Sequence, residues 1–214
     1  AVTVLRRKVA NVEHFLDRSF FDWLDRAEHS CRHGVMLLEQ MLLFSSSNKA
    51  LHREVISLTE VIENVAAILE IHPTLKVSYV ESSGSLVEAN VVQLEQMLIN
   101  LCVNALQAKT KSVCTVTIST SKVTVQDGGL QHIPLKVRNG EYCGISVSDD
   151  GRGISASDLE KIFEPFFSKG KEGNFGLGLS IVRDVVSAHD GYISVHSKVG
   201  DGTTFKIYLP LADF

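Results

Sequence analysis

No two of the four cysteines, Cys31, Cys102, Cys114 and Cys143, stand as a C-x-x-C pair. That spacing argues against a zinc site or a disulfide framework. It reads all four as reduced thiols, mostly in the core of a cytosolic protein. A basic excess is also lacking: the formal net charge is −4, and no Lys/Arg run forms a patch for nucleic acid or a membrane surface. Long apolar runs are missing too. The longest, Val35 to Phe44, is broken by Glu39 and Gln40 and falls far short of the roughly 20 residues a bilayer span needs. No signal peptide, internal repeat or low-complexity segment is visible. The expectation is a cytoplasmic stretch without nucleic-acid or membrane contact. At 214 residues and 44% hydrophobic content, it has room for one or two domains with a substantial core.

What is present begins with helical periodicity. Val2, Leu5, Val9, Val12 and Leu16 keep a seven-residue rhythm, and Leu24, Ala27, Cys31, Leu38 and Met41 resume it. Val35, Leu37, Leu42, Leu43 and Phe44 widen the second stripe until that helix is apolar nearly all round. A helix inside a four-helix bundle needs such a surface, and a hairpin of two helices completes one by pairing with a second copy. Residues 1–56 are therefore expected to form a dimeric four-helix bundle; a hairpin packed on the rest of its own chain is the alternative. Ser45-Ser46-Ser47-Asn48 breaks or bends this region. A connecting helix follows, with Leu58, Val61, Ile62, Val65, Ile68 and Leu69 on one face, ending before Pro73.

From Thr74 the character changes to mixed strands and helices. Strands are predicted at Lys76–Val80, Val113–Ser119, Lys122–Gln126, Tyr142–Ser148, Tyr192–Ser197 and Thr203–Leu209. They do not alternate regularly with helices, so a parallel doubly wound sheet is disfavoured. The fold class expected over residues 57–214 is an α/β sandwich with a mixed sheet covered by helices on one face, making the whole chain α+β.

Several motifs carry chemistry. Gly173-Asn174-Phe175-Gly176-Leu177-Gly178-Leu179-Ser180 runs straight into an amphipathic helix with Leu179, Val182, Val185 and Val186 at helical spacing and a stop at Gly191. Glycine backbone amides and a helix N-terminus together hold phosphate, although a tight turn can have the same composition. Asn100 and Asn104 lie one turn apart at the edge of the apolar face made by Leu94, Met97, Leu98, Leu101, Cys102 and Ala105. An amide oxygen is a suitable ligand for Mg2+ when phosphates supply most of the charge; two solvated or capping amides are the alternative. Asp149-Asp150-Gly151-Arg152-Gly153 closes a strand with an acid and two spaced glycines. It suits an exocyclic amine and a flat base, or a simple D-G turn. Ser157 and Glu160 form a capping box for a short helix ended by Pro165. Phe163-Glu164-Pro165-Phe166-Phe167-Ser168-Lys169 suggests either a lid or core packing. Gly200-Asp201-Gly202-Thr203-Thr204 enters the last strand as a hairpin turn.

Taken in order, these boxes resemble the catalytic ATP-binding part of sensor histidine kinases. The resemblance covers Ser57 to Pro210, and the upstream helices look like the dimerisation and phosphotransfer hairpin of that family. It implies ATP and Mg2+ as cofactors. Asn104 would chelate the metal with Asn100 one turn before it, and Asp149 would read the adenine amino group within the Gly151 and Gly153 box. Phe163 would belong to the lid, and Lys169 with Gly176, Leu177, Gly178 and Leu179 would hold phosphates. Thr203 and Thr204 complete the set. The implied activity is transfer of the ATP γ-phosphate to a histidine and onward to an aspartate on a response-regulator receiver domain.

Two departures accompany the match. The usual first glycine of the second box is Asn174, followed by bulky Phe175, which implies a stiffer lid. The phosphoacceptor pattern, a histidine followed by an acid and then Arg or Asn, is absent: His14, His29, His33, His52 and His72 lack it, and only His189 precedes an acid. The acceptor is expected just upstream of Ala1. Two other classes stay open. An ATP-driven clamp of the same superfamily would carry a hydrolytic glutamate where Asn100 stands, and a non-catalytic nucleotide-binding scaffold would transfer no phosphate.

Overall fold

The computed structural model describes residues 52–80, 86–126, 137–169 and 176–212. The chain divides into two compact units, Ala1–Leu51 and His52–Phe214. Residues 1–51 of the expected hairpin, with Cys31, His14, His29 and His33, lie outside the described residues; residues 52–56, expected at its end, belong to the second unit instead. All described residues belong to the second unit.

Alternation of apolar and polar residues builds a one-sided sheet. Its strands are β2 (Leu75–Val80), β4 (Cys114–Val125), β5 (Gly140–Asp149), β6 (Tyr192–Lys198) and β7 (Gly202–Pro210), in the order β2-β4-β5-β7-β6. Only β2 and β4 run parallel; β5, β7 and β6 are added antiparallel. The expected mixed sheet is present. On one face Val116, Ile118, Cys143, Ile145, Val147, Phe205, Ile207 and Leu209 are buried. On the other, Thr117, Ser119, Ser146, Ser148 and Thr204 stay partly exposed. A period of two sorts the side chains in this way.

The apolar face is covered by helices α1 (Leu58–Leu69), α2 (Val91–Ala108) and α4 (Gly178–Ala188); α3 (Ala156–Leu159) is a single turn. Leu58, Val61, Ile62 and Val65 bury the stripe of α1, and Leu94, Met97, Leu98, Leu101, Cys102 and Ala105 that of α2. Asn90 caps α2 through its side chain, which accepts the Gln93 N–H at 3.1 Å. At the far end of α4, Asp190 takes the left-handed conformation (φ 54°). The Asp190 and Gly191 N–H groups return to the Ser187 and Val186 carbonyls at 3.2 and 2.9 Å. This is a Schellman stop with aspartate rather than glycine in the left-handed position.

Three local expectations are corrected. Cys114–Val125 form one strand where two were expected, because Ser121 and Lys122 keep pairing with Gly144 and Cys143 of β5. The short helix α3 starts two residues earlier than the Ser157–Glu160 box implies: Ser155 is its N-cap, and the Ser155 Oγ donates to Asp158 Oδ2 at 2.7 Å. A second, two-stranded sheet was not foreseen. It pairs β1 (Glu54–Ser57) antiparallel with β3 (Leu86–Ala89).

Candidate functional site

Asp149 ends β5, the middle strand of the sheet, in register with Val116 of β4 and Thr203 of β7. Its carboxylate is therefore on the helix-covered face. The Gly151 N–H donates to Oδ1 at 2.8 Å, and the Thr203 backbone N–H donates as well. Burial pushes the Asp149 carboxyl above the ordinary carboxylate range; those two hydrogen bonds oppose the shift, and neighbouring Asp150 adds to it. The turn that follows is crowded. A Cβ on Gly153, at φ 71°, would lie 2.1 Å from the Lys198 carbonyl oxygen, so only glycine fits. Gly151 is wedged between Asp149 Oδ1 and Ala108.

Thr203 is buried beside Asp149, with its Oγ1 3.0 Å from Ser197 Oγ. Ser197 also accepts the Ile154 N–H at 2.8 Å and donates to the Gly202 carbonyl at 2.9 Å. Thr204 is not brought to this place. Adjacent strand residues face opposite ways, and the Thr204 hydroxyl meets Ser148 Oγ at 2.9 Å on the polar face of the sheet.

The asparagines of α2 mark the other end of the site. Asn100 is only 5% exposed, and its Oδ1 accepts from Gln96 Nε2 at 3.3 Å. The amide nitrogens of Asn100 and Asn104 are both buried, and neither has a hydrogen-bond partner among the described residues. An unmet buried donor is costly, so it marks a place where a ligand atom belongs. Helix α4 starts directly over them: a Cβ on Gly178 would lie 3.6 Å from both amide atoms of Asn104 and 3.8 Å from Asn100 Oδ1. Leu177 is the N-cap of α4 and supplies no side-chain cap. First-turn amides left in that condition are available to an anion. Gly176 (φ 66°) passes so close to the Phe166–Phe167 backbone that no Cβ could be accommodated, and its carbonyl accepts the Phe166 N–H at 3.0 Å. Leu179 packs against the core.

The aromatic segment is split between both of its expected roles. Phe163 stands edge-on to Phe205 at 6.5 Å, and Phe167 also packs on the core. Phe166 is 74% exposed, at φ 67°. Lys169 pairs with Asp158 at 2.5 Å, which holds that carboxyl below its usual range. It is thus engaged by the α3 turn rather than by the start of α4. Gly173, Asn174 and Phe175, expected in the lid, lie outside the described residues.

His189 is withdrawn from chemistry. It is buried, its Nδ1–H donates to the Val185 carbonyl at 2.8 Å, and its Nε2 accepts the Asn90 N–H at 3.0 Å. Neither nitrogen is left for a phosphoryl group. Cys102, Cys114 and Cys143 are buried, and burial pushes the Cys102 and Cys114 thiols up to about 12 and about 11. Sequence reasoning assigned no role to Gln96, Asp150 and Ser197, which bond to Asn100, to the Thr115 N–H and to Thr203. For Asp150 the available signal was a second acid ahead of two glycines.

Residues 89–213 match the profile of histidine kinase-, DNA gyrase B- and HSP90-like ATPases. The chain belongs to that family. Within it, the chain is 35% identical over 199 residues to sensor kinase CckA of Brucella abortus, covering 91% of this chain and 20% of the relative. It is 42% identical over 125 residues to the sensory histidine kinase/phosphatase NtrB of Rhodobacter capsulatus, covering 56% and 32%. The chain thus spans well under half the length of either relative. Among solved structures, full-length ShkA in complex with AMPPNP shares the fold at a TM-score of 0.68 and 23% identity, covering 93% of this chain and 40% of ShkA. The Acinetobacter baumannii histidine kinase AdeS matches at a TM-score of 0.61 and 22% identity, covering 99% and 95%. Both curated relatives are named as sensor or sensory kinases, so the chain's likeness within this ATPase family is to sensor histidine kinases. Among the described residues no helix is long and apolar enough to cross a membrane.

Proposed function

We propose that residues 57–214 bind Mg-ATP and deliver its γ-phosphate to a histidine, from which it passes to an aspartate on a response-regulator receiver domain. The observation that carries this reading is the pair of unmet amides, Asn100 and Asn104, facing the uncapped start of α4. A phosphate chain supplies acceptors for the amide nitrogens and for the first-turn N–H groups of α4. An amide turned the other way presents its oxygen to a cation, so the pair fits Mg2+ held mainly by Asn104 and by the phosphates. The metal, when bound, neutralises charge on the phosphate oxygens. Asp149 accepts the adenine amino group, and Gly151 and Gly153 let the base approach the backbone. Lys169 can leave Asp158 for the phosphates, because an ion pair at the surface contributes little.

The position one turn before Asn104 is held by Asn100, which cannot take a proton. That favours transfer to a nucleophilic imidazole over hydrolysis by an activated water, and so favours a kinase over an ATP-driven clamp. With both nitrogens committed, His189 is no acceptor. Dimerisation is proposed through residues 1–56; replacing Leu38 and Leu42 by Lys should halve the mass seen by light scattering, and an unchanged mass would exclude that interface.

Incubating the full-length protein with γ-labelled ATP tests the central reading. Acid-labile, base-stable label on the protein is expected. Nucleotide binding with no protein label at any pH would favour the scaffold, and free phosphate release alone the clamp.

A further inference from the structure

The acid beside Asp149 has partners of a different kind. Asp150 Oδ1 accepts the Thr115 N–H at 2.9 Å, Oδ2 pairs with Lys111 Nζ at 2.9 Å, and the Asp150 N–H reaches the Thr115 carbonyl at 3.3 Å. Asp150 therefore turns away from the adenine side and clasps the connection from α2 into β4. The next peptide is tied to the same place from another direction, since the Arg152 N–H donates to the Ala108 carbonyl at 2.8 Å. On its far side the turn is held by β6 and β7, through the Gly200 N–H to the Arg152 carbonyl at 2.8 Å and the Ile154 N–H to Ser197. Between these anchors lies Gly151, whose N–H orients the Asp149 carboxylate.

We infer that Asp150 is a positioning residue for base discrimination: by holding the turn on the α2–β4 connection, it keeps the Gly151 N–H on Asp149 and so aims that carboxylate at an exocyclic amine. The inference rests on the adenine reading of Asp149. A carboxylate fixed in direction accepts from the amino group of adenine and faces an unfavourable carbonyl oxygen at the same position of guanine. A carboxylate free to rotate can avoid the guanine oxygen, and discrimination falls before overall binding does. Losing a site's fixed polar partner is how specificity, rather than affinity alone, is forfeited.

The hydrogen bond to Thr115 and the ion pair to Lys111 can be separated. Asp150→Asn keeps an oxygen for the Thr115 N–H and loses the ion pair, which is exposed on the lysine side and contributes little. Asp150→Ala loses both. Asp150→Glu keeps the charge but moves the carboxylate one methylene beyond the Thr115 N–H. It provides a folded comparison should the alanine variant fail to fold.

The experiment measures ATP and GTP dissociation constants for residues 1–214 by displacement of a fluorescent nucleotide. Asp150→Asn should keep the parental GTP/ATP ratio to within about threefold, whereas Asp150→Ala and Asp150→Glu should lower it by about tenfold. Combining Asp150→Ala with Asp149→Asn should reduce the ratio no further than Asp149→Asn alone, because Asp150 acts through Asp149. Equal loss of ATP and GTP affinity in the alanine and glutamate variants, or an unchanged ratio in both, overturns the positioning role while leaving the adenine reading intact. An unchanged ratio in Asp149→Asn itself overturns the adenine reading, and the positioning role with it.

Discussion

The Nε2 of His189 accepts the backbone N–H of Asn90 at 3.0 Å, fastening the C-terminal end of α4 to the N-cap of α2. The helix that carries the unmet Asn100 and Asn104 amides and the helix that starts over them are thus joined at a point remote from those amides. Around this joint, Asn90 Nδ2 donates to the His52 carbonyl at 3.1 Å, and Arg53 reaches both the Ala188 carbonyl and the Asp190 carboxylate. An amide, an imidazole and a guanidinium together satisfy the helix ends that would otherwise be left unpaired.

This joint makes stability depend on pH in a stated direction. Burial holds the His189 pKa below its ordinary value; its bond to Val185 opposes that shift, Arg53 adds to it and Asp190 opposes it. Above about pH 6.5 the ring is neutral in both the folded and the unfolded chain, and its contribution is complete. As pH falls below that value the unfolded chain takes up the proton first, and the contribution is lost towards the lower folded pKa. The limiting slope is about 1.4 kcal/mol per pH unit. Asp149, with its raised pKa, acts in the opposite sense at lower pH, so a comparison isolates the histidine. Urea unfolding at several pH values should show His189→Gln less stable than the parent near neutrality and flatter through the acid range. Parallel pH profiles for the two proteins would remove His189 from this role.

Asn104→Ala separates stability from function. Its amide nitrogen has no partner to lose, and removing an unmet buried donor is neutral or stabilising. The nucleotide-free variant should melt no lower than the parent. Its affinity for Mg2+ with a non-hydrolysable ATP analogue should fall by at least about tenfold, the loss of one charge-assisted contact. Calorimetry with and without Mg2+ checks both halves. Parental affinity in the presence of the metal would take Asn104 out of the site.

Much of this arrangement was legible in the sequence, for a physical reason. The buried stripe of α2 and the carboxylate at the end of β5 follow from local spacing, since 3.6- and 2-residue periods decide which side chains share a face. Pairings made across the chain left no such trace. Strands β1 and β3 are four residues each and become strands only by finding one another, Glu54 opposite Ala89. The polar Ser121–Lys122 step looked like a turn because its partners, Gly144 and Cys143, are more than twenty residues away. Thr204 was grouped with Thr203 by proximity in the chain, although a strand sends neighbours to opposite faces. Whether a phenylalanine is a lid or a core residue was likewise open until Phe163 met Phe205 and Phe166 did not.

Two glycines offer a measurement of how tightly the base end of the site is built. Gly153 and Gly200 both have positive φ, 71° and 90°. A Cβ on Gly200 would meet nothing within 4 Å, whereas one on Gly153 would overlap the Lys198 carbonyl oxygen. Gly200→Ala should therefore cost only the backbone strain of about 1–2 kcal/mol. Gly153→Ala adds overpacking, typically a further 1–3 kcal/mol, for a total of roughly 2–5 kcal/mol. Because relief of that clash must push the 149–153 turn away from β6, the alanine at 153 should also weaken ATP binding, and the alanine at 200 should leave it near parental. Denaturant unfolding and nucleotide titration of the two variants check this. Equal destabilisation would mean that the close approach at Gly153 is relieved without cost, and that the turn is not held as tightly as its contacts with Lys198 and Ala108 imply.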